Sequence, residues 1–170
     1  GDALAARRSC RRFARGPMRL QDLATLLGAG FGVKGRIEFG AHELLSRPHP
    51  SGGGLYALEL TLLVRAVDGI EPGVYHYAVA MHGLEQLRQV SLPADLVRYL
   101  FMGQDYAAEA ALVCVLSADF ERCMCKYGDR GYRYLLLEAG HAMQNLNLIA
   151  AALGLGSCNL GGFFDVELSD

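Results

Sequence analysis

Five short segments of this 170-residue chain carry residues whose types and spacing suit chemistry. The first is Arg7-Arg8-Ser9-Cys10-Arg11-Arg12-Phe13, where several guanidinium forks and a hydroxyl fall within the span of one phosphate group. On its own it reads as a solvated basic face. The second, Pro48-His49-Pro50-Ser51-Gly52-Gly53-Gly54-Leu55-Tyr56, combines stiffening prolines with glycines that let backbone N–H groups approach a flat or anionic ligand. It matches neither the P-loop nor the dinucleotide fingerprint, and a plain turn is the alternative. The third is Lys126-Tyr127-Gly128-Asp129-Arg130-Gly131-Tyr132-Arg133-Tyr134. An ammonium beside a phenol favours the ionised phenol and makes a proton-transfer pair if the side chains converge; otherwise the segment is a polar loop. The fourth is Glu138, His141, Gln144 and Asn145, whose spacings of three and four put them on one helical stripe facing a ligand or a second helix. No third or fourth ligand follows the Glu/His pair, so no metal site is expected. The fifth, Gly154 to Phe163 with Gly161 and Gly162, again permits close backbone approach, or marks a helix stop and a turn.

The elements that must position these residues follow from hydrophobic periodicity. Arg19 to Leu27 reads as a helix with Leu20, Leu23, Leu26 and Leu27 on one face, and Gly28 to Gly40 as a glycine-rich loop, helical in part. Leu58 to Val67 is the best strand, alternating and then continuously apolar, and Gly73 to Val79 and Leu84 to Val90 form a hairpin. Ser91 to Phe101 reads as a helix capped by Ser91, and Ala110 to Ala118 as a buried strand. Gly131 to Leu153 is the longest helix and nearly all buried, with a short strand near Ser157 to Leu160 after it. Strands mixed with helices and joined partly by hairpins predict an α+β domain over 1–170.

Hydrophobic residues make up 52% of the chain and charged residues 20%, enough for a core that needs no disulfide or metal. The five cysteines are odd in number and irregular in spacing, which excludes a disulfide framework and predicts reduced thiols and a cytoplasmic protein. A formal net charge of −2 argues against nucleic-acid binding. No apolar run is long enough to cross a bilayer.

Taken in order, the segments resemble the FMN-dependent nitroreductase superfamily, and more narrowly its SagB-type branch, the thiazole/oxazole-forming azoline dehydrogenases. The resemblance is carried by RRSCRRF at the start, PSGGGLYALEL (Pro50 to Leu60), GVYHY (Gly73 to Tyr77), KYGDRGYRYLLLEAGHAMQNL (Lys126 to Leu146) and ALGLGSCNLGGF (Ala152 to Phe163). It implies a three-layer α-β-α sandwich with a mostly antiparallel central sheet and a long buried dimer helix, forming a homodimer with two FMN sites at its interface. By that resemblance Arg7, Arg8, Ser9 and Arg11 hold the FMN phosphate and ribityl chain. Pro50, Ser51, Gly52 and Gly53 contact the flavin from the partner subunit, and Gly161 and Gly162 lie near its ring. Lys126 and Tyr127 are the implied catalytic dyad. The family pattern continues with a final strand that this sequence, ending at Asp170, does not include.

The reaction so implied is two-electron oxidation of a thiazoline or oxazoline in a peptide, alongside a cyclodehydratase or peptide-synthetase partner, with Tyr127 as base and Lys126 keeping it ionised. An NAD(P)H-dependent reductase of nitroaromatics or quinones on the same fold is the alternative enzyme. A non-catalytic dimerisation or scaffold subunit of a peptide-modifying complex is the alternative of a different class.

Overall fold

A computed structural model describes residues 2–40 and 42–169 of the chain. The centre is β3 (Leu58–Val64), in an antiparallel four-stranded sheet of order β5-β4-β3-β6 with β4 (Gly73–Ala78), β5 (Gly83–Gln89) and β6 (Leu112–Ala118). Leu58, Leu60, Leu62 and Val64 point to one face, as the period of two requires, and Leu63 to the other. Both faces are therefore covered, which explains why the alternation gives way to a continuous apolar run.

The first face packs against α2 (Leu20–Phe31) and α6 (Arg130–Ala152). Leu23, Leu27 and Phe31 of α2, Tyr75 and Tyr77 of β4 and Ala142 of α6 complete that core. The second face packs against α3 (Ala94–Leu100) and α4 (Asp105–Glu109), through Val97, Leu100, Ala107 and Ala108. The result is the three-layer, antiparallel-sheet arrangement that the resemblance implied. Two short helices, α1 (Asp2–Ala6) and α7 (Asp165–Ser169), lie at the ends, and α5 (Phe120–Tyr127) packs on the start of α6.

Several expectations change. The glycine-rich stretch from Gly28 to Gly40 ends in a strand, β1 (Gly35–Phe39), which forms a separate hairpin with β2 (His42–Ser46) just after it. Ile37, Leu44 and Leu45 are exposed, Ile37 by 55%, so they gave no core-facing pattern to read. The helix after Ser91 begins only at Ala94, with Pro93 as its cap residue and no side-chain cap. Near Ser157 there is a single parallel bridge to Ser9 in place of a strand. Residues Lys126 and Tyr127, weighed as part of a polar loop, form the last turn of α5.

The long helix α6 is not buried all round in one chain. Leu135, Glu138, Ala142, Asn147 and Ala150 face inward, while Leu136 and Leu137 are each more than half exposed. Its apolar arc is wider than the surface that one sheet and α2 cover. Among the described residues no helix is long and apolar enough to cross a membrane, and no group of three or more His, Cys, Asp and Glu side chains is placed to hold a metal.

Replacing Leu62, fully buried at the sheet's centre, with alanine should destabilise the domain by about 2–5 kcal/mol in denaturant unfolding. A smaller pH effect is expected at His76. Its pKa is raised from 6.5, chiefly by hydrogen bonding to Glu85 at 3.0 Å and also by Glu59 at 3.2 Å, against burial. A raised histidine stabilises fully below its unfolded value and loses that contribution as pH rises through the folded value. The urea midpoint of the native protein should therefore fall more than that of His76→Gln between pH 6 and pH 8.

Candidate active site

The glycine-rich turn is seated residue by residue. Ser51 donates its hydroxyl proton to Glu138 Oε2 at 2.6 Å, and its oxygen accepts the Tyr56 N–H at 2.9 Å. A Cβ on Gly52 would lie 3.3 Å from Tyr134 Cβ. Gly53 has φ +65°, and a Cβ there would fall on the Tyr127 hydroxyl and 2.8 Å from Lys126 Nζ. Three consecutive residues thus rest on Glu138, on Tyr134 one helical turn before it, and on the Lys126–Tyr127 pair. Segments more than 70 residues apart in sequence meet here.

The pair is aimed by the packing of α5 on α6. Asp119 caps α5 by accepting the Arg122 N–H at 3.0 Å. Arg122 in turn donates to the Tyr56 carbonyl at 3.0 Å and reaches Glu59 at 3.2 Å, tying α5 to the far end of the turn. Gly131 lets the two helices touch at the backbone, since a Cβ there would sit 3.2 Å from the Cys123 carbonyl. Lys126 Nζ lies 5.4 Å from the Tyr127 ring centroid, and Tyr134 meets that ring edge-on at 5.0 Å. Tyr127 is half-buried and Lys126 exposed. A depression of about 350 Å³ lined by Asp129, Arg130, Tyr132 and Arg133 opens at the start of α6.

Beneath the turn lies a buried polar cluster. Arg47 stacks its guanidinium 4.2 Å from the Phe31 ring centroid, donates from Nε to the Phe31 carbonyl at 3.2 Å, and gives its backbone N–H to the Tyr56 hydroxyl at 3.1 Å. Burial pulls the Arg47 guanidinium down from its usual pKa, opposed by Glu59 and Glu138. His49 is fully buried between Phe31 and Tyr56, with Nε2 3.5 Å from Glu138 Oε1. At that separation neither atom has a hydrogen-bond partner among the described residues.

A second group forms at the other end of α6. Ser9 bridges to Ser157, and the Cys10 N–H donates to the Ser157 carbonyl at 2.8 Å. Asn147 organises this end, accepting from Ser157 Oγ at 2.9 Å and donating to Asn159 Oδ1 at 3.1 Å. The Arg11 guanidinium lies 5.8 Å from the Tyr106 ring centroid, Tyr106 bonds Gln104, and Gln104 donates to the Gly162 carbonyl at 2.9 Å. Arg7, Arg8, Arg11, Arg12 and Arg15 have no carboxylate partner among the described residues, and Ser9 Oγ makes no hydrogen bond there. Unneutralised guanidinium groups beside a free hydroxyl form a donor set suited to a phosphomonoester.

The expected site residues therefore fall into two clusters. Arg7, Arg8, Ser9, Arg11, Gly161 and Gly162 belong to the second, and Pro50, Ser51, Gly52, Gly53, Lys126 and Tyr127 to the first. No hydrogen bond or ion pair joins the two clusters among the described residues, and Tyr134 and Asn147 hold them at different ends of α6. The depression at the start of α6 and another of about 250 Å³ beside Leu23, Tyr77 and His82 are lined by none of them. Tyr134 and Asn147, at the two ends, lie about 20 Å apart along the helix axis.

The sequence reading missed Tyr134, Asn147 and Gln104. Its polar stripe also divides: Glu138 is buried, while His141 and Gln144 are exposed. The available signal was that Glu138 lies three residues after Leu135 and four before Ala142, inside the buried stripe.

The fold agrees with the comparisons to known proteins. The pattern of the Nitroreductase family spans residues 4–170, and the chain belongs to that family, a family of oxidoreductases. Protein MJ1384 of Methanocaldococcus jannaschii, named as a nitroreductase, is 36% identical over 169 residues, 99% of this chain and 81% of that protein. The microcin B17-processing protein McbC of Escherichia coli, of the SagB-type group, is 34% identical over 127 residues, 70% of this chain and 45% of McbC. The narrower resemblance is thereby borne out.

Among solved structures, a protein of Anabaena variabilis named as a nitroreductase superposes with a TM-score of 0.83 at 30% identity, over 98% of this chain and 33% of that one. A chain of the E. coli microcin synthetase McbBCD complex, with truncated pro-MccB17 bound, gives 0.68 at 30% identity, over 84% and 53%. A Desulfovibrio desulfuricans protein named as a nitroreductase, solved with FMN, gives 0.59 at 19% identity over 94% and 66%, and shares the fold. This chain thus spans about half of McbC and a third of the Anabaena protein.

The seating of Gly53 is testable against its neighbour. Gly54 also has positive φ, +67°, but its Cβ position is open. Gly54→Ala should cost about 1 kcal/mol of stability from backbone strain alone. Gly53→Ala adds the contact with Tyr127 and Lys126 and should cost at least about twice that in denaturant unfolding.

Proposed function

We propose that this chain is an FMN-dependent oxidoreductase that oxidises thiazoline or oxazoline rings of a peptide to the aromatic azole. The observation that carries the reading is the placement of Lys126 and Tyr127, side by side at the end of α5 and against the Gly53 backbone. The likeness to McbC, a peptide-processing protein, supports the substrate class, and the FMN complex of the Desulfovibrio protein supports the cofactor.

In this reading the free guanidinium groups of Arg7, Arg8 and Arg11, with Ser9, hold the phosphate and ribityl chain. The main chain of Pro50 to Gly53 faces the flavin from a second copy, and Gly161 and Gly162 lie along its ring. When bound, the flavin accepts the two electrons of the oxidation. Tyr127 Oη takes a proton from the azoline ring, with the Lys126 ammonium as its neighbour against the Gly53 backbone. The half-buried Tyr127 ring, wedged between Gly53 and Tyr134, keeps Oη in one place.

A homodimer is part of the same proposal. Two copies with their α6 helices antiparallel bring the arginine cluster of one chain against the glycine turn of the other. The exposed Leu136 and Leu137 give that face its apolar area. The likeness to a chain of the McbBCD complex supports a peptide-modifying partner, a cyclodehydratase or peptide synthetase. A second reading, an NAD(P)H-dependent reductase of nitroaromatics or quinones, is favoured by the longer match to MJ1384.

Added FMN should give the purified protein a yellow absorbance band. An azoline peptide should then bleach that band anaerobically, faster than NAD(P)H does; the reverse order selects the reductase. Tyr127→Phe should slow bleaching by the azoline about a hundredfold or more with FMN still bound, and an unchanged rate would remove Tyr127 from the mechanism.

A further inference from the structure

We infer that Ser51 is a latch for the glycine turn rather than a flavin ligand, and that Glu138 is the positioning residue on which it closes. The inference rests on the flavin reading only for the ligand used in one arm of its test.

A serine hydroxyl has one proton to give and two lone pairs. The Ser51 proton is committed to Glu138 Oε2 at 2.6 Å, and one lone pair takes the Tyr56 N–H at 2.9 Å. Both partners are on the inner side: Glu138 is 3% exposed and roofed by the turn itself. The side chain has no donor left for the carbonyl or phosphate oxygens of a flavin. A hydroxyl donating to a buried carboxylate makes a stronger bond than a neutral pair, so releasing it toward a ligand would leave Glu138 without its donor. The other buried groups facing Glu138 do not replace that donor. His49 Nε2 stands at 3.5 Å from Oε1, and the guanidinium of Arg47 is directed to the Phe31 and Leu58 carbonyls.

The latch has a geometric consequence. Glu138 and Tyr134 are one turn apart on α6, so closing Ser51 onto the first sets Gly52 down on the second. The next residue, Gly53, then meets Lys126 and Tyr127. The Gly54 N–H donating to the Ser51 carbonyl at 3.1 Å closes the turn. What it presents outward is main chain: Gly53 is exposed, and Ser51 is not. Glu138 thus governs the surface offered to a cofactor and the spacing of that surface from the Lys126–Tyr127 pair, without touching either.

The full-length chain carrying Ser51→Ala, Glu138→Ala, both together, or Glu138→Gln tests this by two measurements. In the protein without added cofactor, amide hydrogen exchange at residues 52–54 should speed up about tenfold in each single alanine variant, and no further in the double. In FMN titrations followed by flavin fluorescence, each single variant should weaken binding about five- to tenfold, again with no further loss in the double. Glu138→Gln keeps an oxygen that accepts the Ser51 proton and should restore both readouts to within about twofold of wild type. Should Glu138→Ala fail to fold, Glu138→Asp takes its place, since its carboxylate is one methylene too short to reach Ser51.

Effects that multiply in the double variant would overturn the latch, as would weakened FMN binding in Ser51→Ala with unchanged binding in Glu138→Ala; both give Ser51 a role independent of Glu138. Lowered global stability with unchanged exchange at 52–54 and unchanged FMN affinity would reduce the pair to a structural contact and also overturn it. Wild-type protein that binds no FMN would sink the flavin reading, and the exchange data would still decide the latch.

Discussion

The backbone contact between α5 and α6 is the constraint from which the site follows. Where Gly131 meets Cys123, the two helices approach so closely that a Cβ on Gly131 would crowd the Cys123 and Met124 backbone at 3.2 Å and push the helices apart by a few tenths of an ångström. That crossing fixes the end of α5, and with it Lys126 and Tyr127, relative to the first two turns of α6. The glycine turn then has one way to lie down, because its three residues rest on positions whose spacing those two helices have already set. Only glycine satisfies Gly53, which needs both a left-handed backbone and room for a phenol hydroxyl.

The polar cluster under the turn is a poor source of stability and a good source of definition. A buried carboxylate, a buried guanidinium and a buried imidazole are each costly to desolvate, and four of their polar atoms lack hydrogen-bond partners among the described residues. Well-packed apolar residues would hold α6 to the sheet at least as well. What Glu138 supplies instead is direction: a hydrogen-bond acceptor at one point on an otherwise apolar helix face, so that the turn docks in a single register. Retaining such a cluster makes physical sense where the position of a loop matters more than its contribution to folding.

The legible parts of the chain were those with strong periodicity. Alternating leucines marked β3, the spacing of Leu20, Leu23 and Leu27 marked α2, and the long apolar run of α6 needed little else. The β1–β2 hairpin escaped because its apolar residues face solvent and its glycines suggested loop. α5 escaped because its charged residues looked like loop, although Asp119 as a cap and the spacing of Phe120, Cys123 and Tyr127 together spell an amphipathic helix of about two turns. The site was legible as a set of segments and not as an arrangement. Glu138 illustrates the difference. Its partners, Ser51 and His49, lie nearly ninety residues away, and no local pattern states that a hydroxyl will be pulled inward rather than left for a ligand.

The length of α6 carries the argument to the assembly. Each chain places its cationic, phosphate-suited cluster at one end of that helix and its glycine turn and Lys–Tyr pair at the other, about 20 Å away along the axis. The two clusters are complementary: one has guanidinium groups, the other a glycine turn and a proton-transfer pair without an anion-binding group. A continuous helix cannot shorten to bring them together. The exposed apolar arc on the same helix, centred on Leu136 and Leu137, lies between the two ends. Covering it with the same arc of a second copy, run in the opposite direction, joins unlike ends by symmetry and does so twice. On the function proposed here, dimerisation is therefore a condition for having a flavin site at all, because helix length alone prevents one chain from building it.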